Sequence, residues 1–389
     1  MDYLKEANLM LPDLVQWRRD FHMHPELRFE EVRTSSKVAE YLRSLGLEVQ
    51  TGVGKTGVVG LLTGSRPGPV ALMRFDMDAL PIQEENDVPY KSQNPGVMHA
   101  CGHDSHMAMG MGVAKLLTRH RDELQGSVKF VFQPAEEGAG GALAMIRDGV
   151  LENPRPDVSF GLHVQSQTPA RMVLVGDGPI LTAADTFHCT VRGKGGHGAI
   201  PQLTIDPVVV AAQIISALQT IVSRNVDPLR MAVISVCTLK AGSAFNVIPD
   251  VVEMSGTLRS YEPEVRELIC QRMQAVIENT ARAFGATAEL TIEEIVPAAV
   301  NHPAVSKKVR ELASSIVGLD LVSADELGTA SDDIAEFLRA VPGCHFILGV
   351  SKEGEDRPQH TPRFDMDESV MPYGVALLAA EAMYFLAHK

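Results

Sequence analysis

The sequence predicts an α/β protein, with a sheet covered by helices on both faces and a smaller α+β domain inserted into it. Short apolar runs rich in valine and leucine alternate with stretches of helical periodicity in the first half of the chain, and the pattern returns near the C-terminus. Such alternation is typical of an α/β sheet. The pattern changes near Leu181, and we expect a first domain of residues 1–182 and 296–389 with residues 183–295 inserted.

The elements of the first domain follow from the spacing of apolar residues. Steps of three and four predict helices at 11–22, 35–45, 107–119, 141–150, 304–317, 332–340 and 369–388. Glycine-flanked apolar runs predict buried strands at 57–62, 70–75, 127–132, 158–162 and 345–348. Pro25 breaks any continuous helix between the first two helical stretches.

The inserted domain has its own order of elements. Strand-like stretches are expected at 184–192, 231–239, 250–259 and 288–296, with a strongly apolar helix at 207–223 and a long helix at 264–284. The resulting strand–helix–strand–strand–helix–strand order predicts a ferredoxin-like topology, a four-stranded sheet with two helices on one face.

Composition argues against several classes of protein. Hydrophobic residues make up 45% and charged residues 22% of the chain, as in an ordinary soluble globular protein. The formal net charge of −14 argues against a nucleic acid or a membrane surface as partner, since both demand clustered lysine and arginine. No apolar signal core follows Met1, no apolar run approaches the ~20 residues of a membrane span, and the five cysteines are scattered. We therefore expect a cytoplasmic protein with reduced thiols.

Nine residues from Met98 to His106 concentrate side chains that bind metal. They contain three histidines, a cysteine and an aspartate, placed between a loop and a predicted helix. Imidazole, thiolate and carboxylate together suit a borderline-soft divalent metal. The spacing is not that of a zinc finger, so a metal site would need ligands from other segments.

Acids and histidines at the ends of the predicted strands can supply those ligands. They are Asp76, Asp78, the pair Glu136–Glu137, His163 and, in a later loop, His360. In an open α/β sheet, sites form in the crevice beyond the strand ends.

The Glu136–Glu137 pair is the most informative of these features. Adjacent carboxylates repel, so placing both in one crevice is costly unless a cation absorbs the charge. One carboxylate can then bind metal while its neighbour takes a proton from water. That division of labour suits a metal-dependent hydrolase.

A series of ordered motifs carries a family resemblance. They are HMHPEL at 22, FDMDALP at 75, HACGHDSH at 99, QPAEEG at 133, GLHV at 161, GGHGAIPQ at 195, NVIPD at 246, GTLRS at 256 and HTPRFDMDE at 360. With them, from about Trp17 to near the C-terminus, the chain resembles the M20 metallopeptidase family in its branch of hippurate hydrolases and N-acyl-amino-acid amidohydrolases. The resemblance implies hydrolysis of N-acyl amino acids by a catalytic domain with a mixed sheet between helices, and an inserted lid domain that forms a homodimer or a dimer of dimers.

The resemblance also implies roles for individual residues. One or two divalent cations (Zn, Mn, Co or Ni) would be held by Cys101, His103, Glu137, His163 and His360. Glu136 would be the catalytic base, and Asp78 a carboxylate behind the ligands. His197 would stabilise the oxyanion, in the partner subunit's active site, and Asn246 and Arg259 would hold the substrate's carboxylate.

The chain departs from the family pattern at several positions. Asp76 stands where the peptidase branches have a histidine ligand, and the Cys-Gly-His arrangement replaces a bridging aspartate, which leaves the metal count and identity open. Gln202 stands where the branch often has histidine. Asp332-Asp333-Ile334 replaces the usual Glu-Asp-Phe, which affects the expected pocket floor.

Single features of the sequence suggest alternative functions. Gly54-Lys55-Thr56 resembles the end of a phosphate-binding loop, but that motif requires glycine where Val49 stands and a helix where a strand is predicted. A thiol hydrolase using Cys101 and His103 would leave the acids without a role. A metal-dependent aminopeptidase, dipeptidase or carboxypeptidase of the same family remains the open alternative.

Overall fold

The protein, in a computed structural model that describes residues 2–324 and 328–388, folds as two compact units. Unit 1 comprises Met1–Ile180, Ala299–Leu327 and Asp332–Lys389, and unit 2 comprises Leu181–Ala298 and Gly328–Ser331. The expected insertion at 183–295 falls within unit 2. Residues 328–331, which we expected in the first domain, lie with unit 2 instead.

The helices and strands are numbered in chain order. The helices are α1 Tyr3–Leu9, α2 Leu11–Met23, α3 Val32–Ser44, α4 His103–Arg119, α5 Gly141–Arg147, α6 Pro207–Arg224, α7 Pro263–Ala283, α8 Pro303–Val317, α9 Ile334–Ala340 and α10 Met371–Ala387. The strands are β1 Glu48–Val53, β2 Gly57–Thr63, β3 Arg66–Asp76, β4 Gln125–Gln133, β5 Val158–Gln165, β6 Val173–Leu174, β7 Gly178–Leu181, β8 Ala183–Arg192, β9 Gly196–His197, β10 Ala232–Ala241, β11 Val247–Ile248, β12 Val251–Ser260, β13 Thr287–Val296, β14 Ala299–Asn301, β15 Val322–Ser323 and β16 Gly343–Gly349. Every predicted element is present, whereas α1, β1 and six short strands (β6, β7, β9, β11, β14 and β15) were not predicted.

The large sheet of unit 1 is mixed, as expected. Its strand order is β1-β2-β4-β3-β5-β16-β6-β15. The central strands β4, β3, β5 and β16 pair in parallel, while β2 runs antiparallel to β4 and β1 antiparallel to β2. The carboxyl ends of the four parallel strands therefore meet at one edge, which is where ligand sites form in open sheets.

Apolar side chains of unit 1 cover both faces of this sheet. Along β3, Met73 and Phe75 join the large core that includes α4 and α10, whereas Leu72 packs on the opposite face with residues of α5 and α9. This alternation follows from the two-residue period of a strand.

Within the described residues, two helices are long and apolar enough to cross a membrane by length and composition, whereas no apolar run of that length was expected from the sequence. The one that includes α10 has 72% of its most apolar window buried inside the protein, so it is a core helix. In α6, 33% of the window is buried.

Unit 2 has the element order and sheet of a ferredoxin-like domain. Its four-stranded antiparallel sheet has the order β10-β12-β8-β13, and α6 and α7 pack on it through one apolar cluster. A separate ribbon pairs β9 with β11.

Candidate active site

The carboxyl ends of three parallel strands deliver acids and a histidine to one place. Asp76 ends β3, and the pair Glu136–Glu137 follows β4. His163 was predicted to end its strand, but β5 continues to Gln165, so His163 lies inside the strand. The residues beyond the predicted strand end at Leu162 pair with β16.

The turn Cys101-Gly102-His103 leads directly into α4. Gly102 has φ 96°, and a Cβ atom there would lie 2.5 Å from a methyl carbon of Val164, so the turn requires glycine. The helix begins at His103, four residues before the predicted start. Residues 103–106 are polar yet buried, so the spacing of apolar residues did not reveal this first turn. His103 is thus held in the first turn of a helix rather than in a loop.

All five expected ligands lie in one cluster. Cys101, His103 and His163 form one group whose ligand atoms lie within 4.8 Å of one another, and Cys101, Glu137 and His360 form a second. The Cys101 Sγ atom is 3.4 Å from His163 Nε2 and 3.3 Å from His360 Nε2. Cys101 therefore belongs to both of these groups, and its thiolate could be a ligand in either.

The imidazole rings present lone pairs to this cluster. His103 Nδ1 lies 2.8 Å from the carbonyl oxygen of Asp78, and His163 Nδ1 lies 2.7 Å from that of Val164. Each Nδ1 can therefore donate to a carbonyl, which leaves Nε2 as the metal-binding nitrogen. His103 Nε2 is buried without a hydrogen-bond partner among the described residues, as a vacant ligand atom would be.

The pKa shifts of Cys101 and His163 in the absence of a cation support their assignment as ligands. Burial raises the pKa of the Cys101 thiol far above its usual value, so the thiolate needs a cation beside it. Burial lowers the pKa of His163 to about 3, which keeps that ring neutral and able to bind metal. A raised thiol pKa also argues against Cys101 as the nucleophile of a thiol hydrolase. A mixed sulfur, nitrogen and oxygen donor set suits divalent transition metals.

Asp78 organises the turn of the two glutamates. Its Oδ1 accepts a hydrogen bond from the Glu136 amide and its Oδ2 one from the Glu137 amide, each at 3.0 Å. The Asp78 side chain is buried and its backbone carbonyl faces His103. One residue thus fixes both the base candidate and a ligand ring.

The two adjacent glutamates have opposite pKa shifts. Burial raises the pKa of Glu136 well above its usual value, and Asp332, Asp333 and Glu137 add to the effect. Burial acts in the same direction on Glu137, but His360 and His103 outweigh it and lower the pKa of Glu137. Environments that separate two carboxyl groups in this way mark different acid–base roles. Glu137 is suited to bind a cation and Glu136 to carry a proton.

A buried arginine, not singled out from the sequence, lies close to Glu136. Arg74 Nη2 donates to Asp332 at 2.8 Å and to Asp333 at 3.0 Å, and Arg74 Nη1 donates to Asp76 at 2.5 Å. The other oxygen of Asp76 lies 2.6 Å from His106 Nδ1. Asp76 is thus engaged by two side chains, and Asp332 and Asp333 serve to balance Arg74. The sequence signal that could have revealed Arg74 is the presence of an arginine within an otherwise apolar strand.

The remaining polar residues of the 98–106 stretch are buried but do not belong to the five-ligand cluster. Asp104 pairs with Arg18 at 3.0 Å and lies 2.8 Å from His22 Nδ1, all of them buried. His106 Nε2 accepts a hydrogen bond from the Val164 amide at 3.0 Å. Burial lowers the pKa of His99 to about 3. Of the nine residues, only Cys101 and His103 belong to the five-ligand cluster.

The predicted site residues of unit 2 lie in two places. His197 and Asn246 are brought together on the exposed ribbon, where His197 pairs with Val247 and the Gly198 amide donates to the Asn246 carbonyl at 2.9 Å. Arg259 lies on β12, where Nη1 donates to the Leu258 carbonyl at 2.8 Å, and no carboxylate of the described chain pairs with it. Gln202 is exposed in a short 3₁₀ turn.

A mixed α/β sheet with this ligand cluster and an adjacent carboxylate defines a metal-dependent hydrolase. The model of peptidase family M20/M25/M40 matches residues 72–383, and the chain belongs to that family. The family expected from the sequence motifs is therefore confirmed.

Several members are similar over nearly their whole length. YhaA of Bacillus subtilis (strain 168), which is named as an amidohydrolase, is 43% identical over 388 residues, 98% of either chain. Thermostable carboxypeptidase 2 of Saccharolobus solfataricus is 42% identical, covering 96% of this chain and 95% of the relative. N-acetylcysteine deacetylase of B. subtilis is 38% identical, covering 96% and 97%. The crystal structure of the B. subtilis YXEP protein, described as a dinuclear metal binding peptidase, superimposes with a TM-score of 0.87 at 35% identity, covering 98% and 99%.

Proposed function

We propose that this protein is a two-ion amidohydrolase that cleaves the amide bond of N-acyl amino acids, releasing a carboxylic acid and a free amino acid. The observation that carries the proposal is the pair of ligand groups sharing Cys101 beside Glu136. Relatives named as an amidohydrolase and an N-acetylcysteine deacetylase support the substrate class. Zn, Mn, Co and Ni all suit these ligands.

The chain's own residues divide the chemical work. Bound cations would supply Lewis acidity, lowering the pKa of a water molecule and polarising the amide carbonyl. Glu136 takes the proton from the attacking water and returns it to the nitrogen of the leaving amine. Asp78 keeps Glu136 in position through a hydrogen bond to the Glu136 amide, and Glu137 would help to hold the cations.

The roles that we propose for residues of unit 2 come from the family resemblance. His197 donates a hydrogen bond to the developing oxyanion, as oxyanion-hole donors do. Arg259 and Asn246 bind the free carboxylate of the substrate, since an arginine can grip a carboxylate through two parallel hydrogen bonds. The absence of a carboxylate partner for Arg259 in the described chain leaves that capacity available.

A carboxypeptidase activity is the second candidate, because a relative 42% identical carries that name. The C-terminal residue of a peptide bears the same free carboxylate as an N-acyl amino acid. The two activities differ in the group on the far side of the amide bond.

A substrate panel tests the proposal. Hippurate, N-acetyl amino acids, free dipeptides and N-blocked dipeptides are compared by kcat/KM with each metal restored to the apoprotein. We expect N-acyl amino acids to be hydrolysed fastest and free dipeptides at least about tenfold more slowly, since a charged amine must be desolvated near the cations. A preference for N-blocked dipeptides over N-acyl amino acids would favour the carboxypeptidase, and a preference for free dipeptides would favour an aminopeptidase or dipeptidase.

The same panel tests Arg259 when the carboxylate of the best substrate is converted to an amide. We expect amidation to cost roughly 100-fold in kcat/KM in the wild type and only a few-fold in Arg259→Ala, because a charge-assisted pair is lost in the first case only. Equal losses in the two proteins would remove Arg259 from this role.

His197 acts in the partner's active site in this proposal, within a homodimer formed by unit 2. Mixing inactive His197→Ala with inactive Glu136→Ala, under conditions that allow subunit exchange, is expected to restore about a quarter of wild-type activity. Random pairing makes about half the dimers mixed, each with one intact site. Exchange verified by mass spectrometry without return of activity would place His197 in its own subunit's site or in none.

A further inference from the structure

The turn that carries Glu136 begins with a strained residue. Ala135 has φ 54°, in the left-handed region that residues other than glycine rarely adopt. Such a residue persists only where its surroundings hold it, and this kind of strain concentrates at functional sites. Ala135 is also fully buried, so its conformation depends on a small number of specific contacts.

A carboxylate from another part of the chain holds this residue. Glu31 Oε1 accepts a hydrogen bond from the Ala135 amide at 3.0 Å and another from the Phe29 amide at 2.9 Å. Glu31 Oε2 accepts a hydrogen bond from the Thr56 hydroxyl. The Glu31 side chain is fully buried and lies immediately before α3, whose Ser35 amide donates to the Glu31 carbonyl at 3.0 Å. Glu31 therefore ties its own segment and the segment of Thr56 to the start of the glutamate turn.

Two carboxylates divide the three successive amides of the turn. Glu31 accepts from Ala135, while Asp78 accepts from Glu136 and Glu137. The carbonyl of Ala135 accepts from the Gly141 amide at 3.1 Å, and that of Glu137 accepts from Arg28 Nη1 at 2.8 Å. The backbone on both sides of Glu136 is thus fixed from outside the turn.

We infer that Glu31 is a positioning residue for the base Glu136, acting through the Ala135 amide. The inference rests on the proposed role of Glu136. Without this acceptor, Ala135 can leave the left-handed region, and the rotation is transmitted directly to the Cα–Cβ bond of Glu136. The ligand atoms of Cys101 and His163 are held by other segments, and the Glu137 amide keeps its acceptor Asp78, so we expect equal metal content when the variants are compared at saturating metal.

Three variants of Glu31 test the inference. In Glu31→Ala and in the near-isosteric Glu31→Met, we expect kcat to fall about 10- to 100-fold with KM changed less than about twofold, because a misplacement of about 1 Å can cost that much. Glu31→Gln is expected to stay within about threefold of wild type, since the amide oxygen still accepts from Ala135 and the amide nitrogen can donate to Thr56. If Glu31→Ala does not fold, Glu31→Met, which keeps the buried volume, carries the test.

A second-site variant distinguishes positioning from general destabilisation. Glycine adopts positive φ without strain, so Ala135→Gly in the Glu31→Met background is expected to recover part of the lost kcat. Glu26→Ala is the matched control in the same loop. The Glu26 carboxylate accepts from the Arg33 and Thr34 amides at the start of α3 and does not contact the glutamate turn, so its removal is expected to lower the melting temperature without changing kcat.

Amide hydrogen exchange at Ala135 gives a readout that needs no substrate. We expect slow exchange in the wild type and in Glu31→Gln, and faster exchange in Glu31→Met, with bound metal equal in all three. Wild-type kcat in Glu31→Met, or a loss in Glu31→Gln as large as in Glu31→Met, would overturn the inference. If the wild type does not hydrolyse N-acyl amino acids, only the proposed substrate class is refuted. The role of Glu31 is still tested by hydrogen exchange at Ala135 and by kcat on whichever amide the panel identifies as a substrate.

Discussion

Glu136→Gln is expected to lower kcat by roughly 10²- to 10⁴-fold while the protein keeps its full metal content. Glutamine preserves the size of the side chain and the backbone hydrogen bond to Asp78, but it cannot accept a proton. The raised pKa of Glu136, caused by burial and by Asp332 and Asp333, makes its protonated form accessible for delivery to the leaving amine. Steady-state kinetics and metal analysis of the same preparation measure both effects.

Glu137→Gln is the matched control, since it changes the neighbouring residue in the same way. Glu137 lies with Cys101 and His360 in one ligand group, so its neutralisation is expected to lower metal affinity, and excess metal should restore much of the rate. If Glu136→Gln retained near-normal turnover, the base would have to be another residue.

Cys101→Ala is expected to remove measurable hydrolysis and to lower affinity for both cations by more than about 100-fold. Loss of a residue that only supports a metal ligand typically costs about 10- to 100-fold, and Cys101 is a candidate ligand in both groups at once. Metal content after desalting and the hydrolysis rate are the measurements.

Cys237→Ala is the control for this substitution. Cys237 is an exposed thiol of unit 2, so its removal should change neither metal content nor rate. Retention of both cations by Cys101→Ala would show that the thiol is a packing residue.

The grouping of the acids and His163 could be predicted from the sequence because these residues stand at or near the ends of predicted strands. In a sheet whose central strands are parallel, those ends must meet. The full ligand set, with Cys101 and His103, was implied by the family motifs. The helix start at His103 was missed because its polar first turn is buried through specific partners, such as Asp76 for His106, which periodicity cannot reveal.

The supporting contacts could not be predicted in the same way. Glu31 and Ala135 are 104 residues apart, and Arg74 and Asp332 are 258 apart, so no local pattern relates either pair. The ribbon that brings His197 to Asn246 consists of two-residue strands, which are too short to show alternation. Long-range hydrogen bonds of buried polar groups decided the first two features, and backbone pairing in an exposed ribbon decided the third.

A metal titration of the apoprotein tests the central claim most directly. Protein stripped by exhaustive chelation, and shown by elemental analysis to hold no metal, is titrated with Zn²⁺ or Mn²⁺ while release of the free amino acid from the best N-acyl substrate is followed. We expect no hydrolysis without metal and a maximal rate at two cations per chain, because two ligand groups share Cys101. Full activity of the metal-free protein would contradict the account.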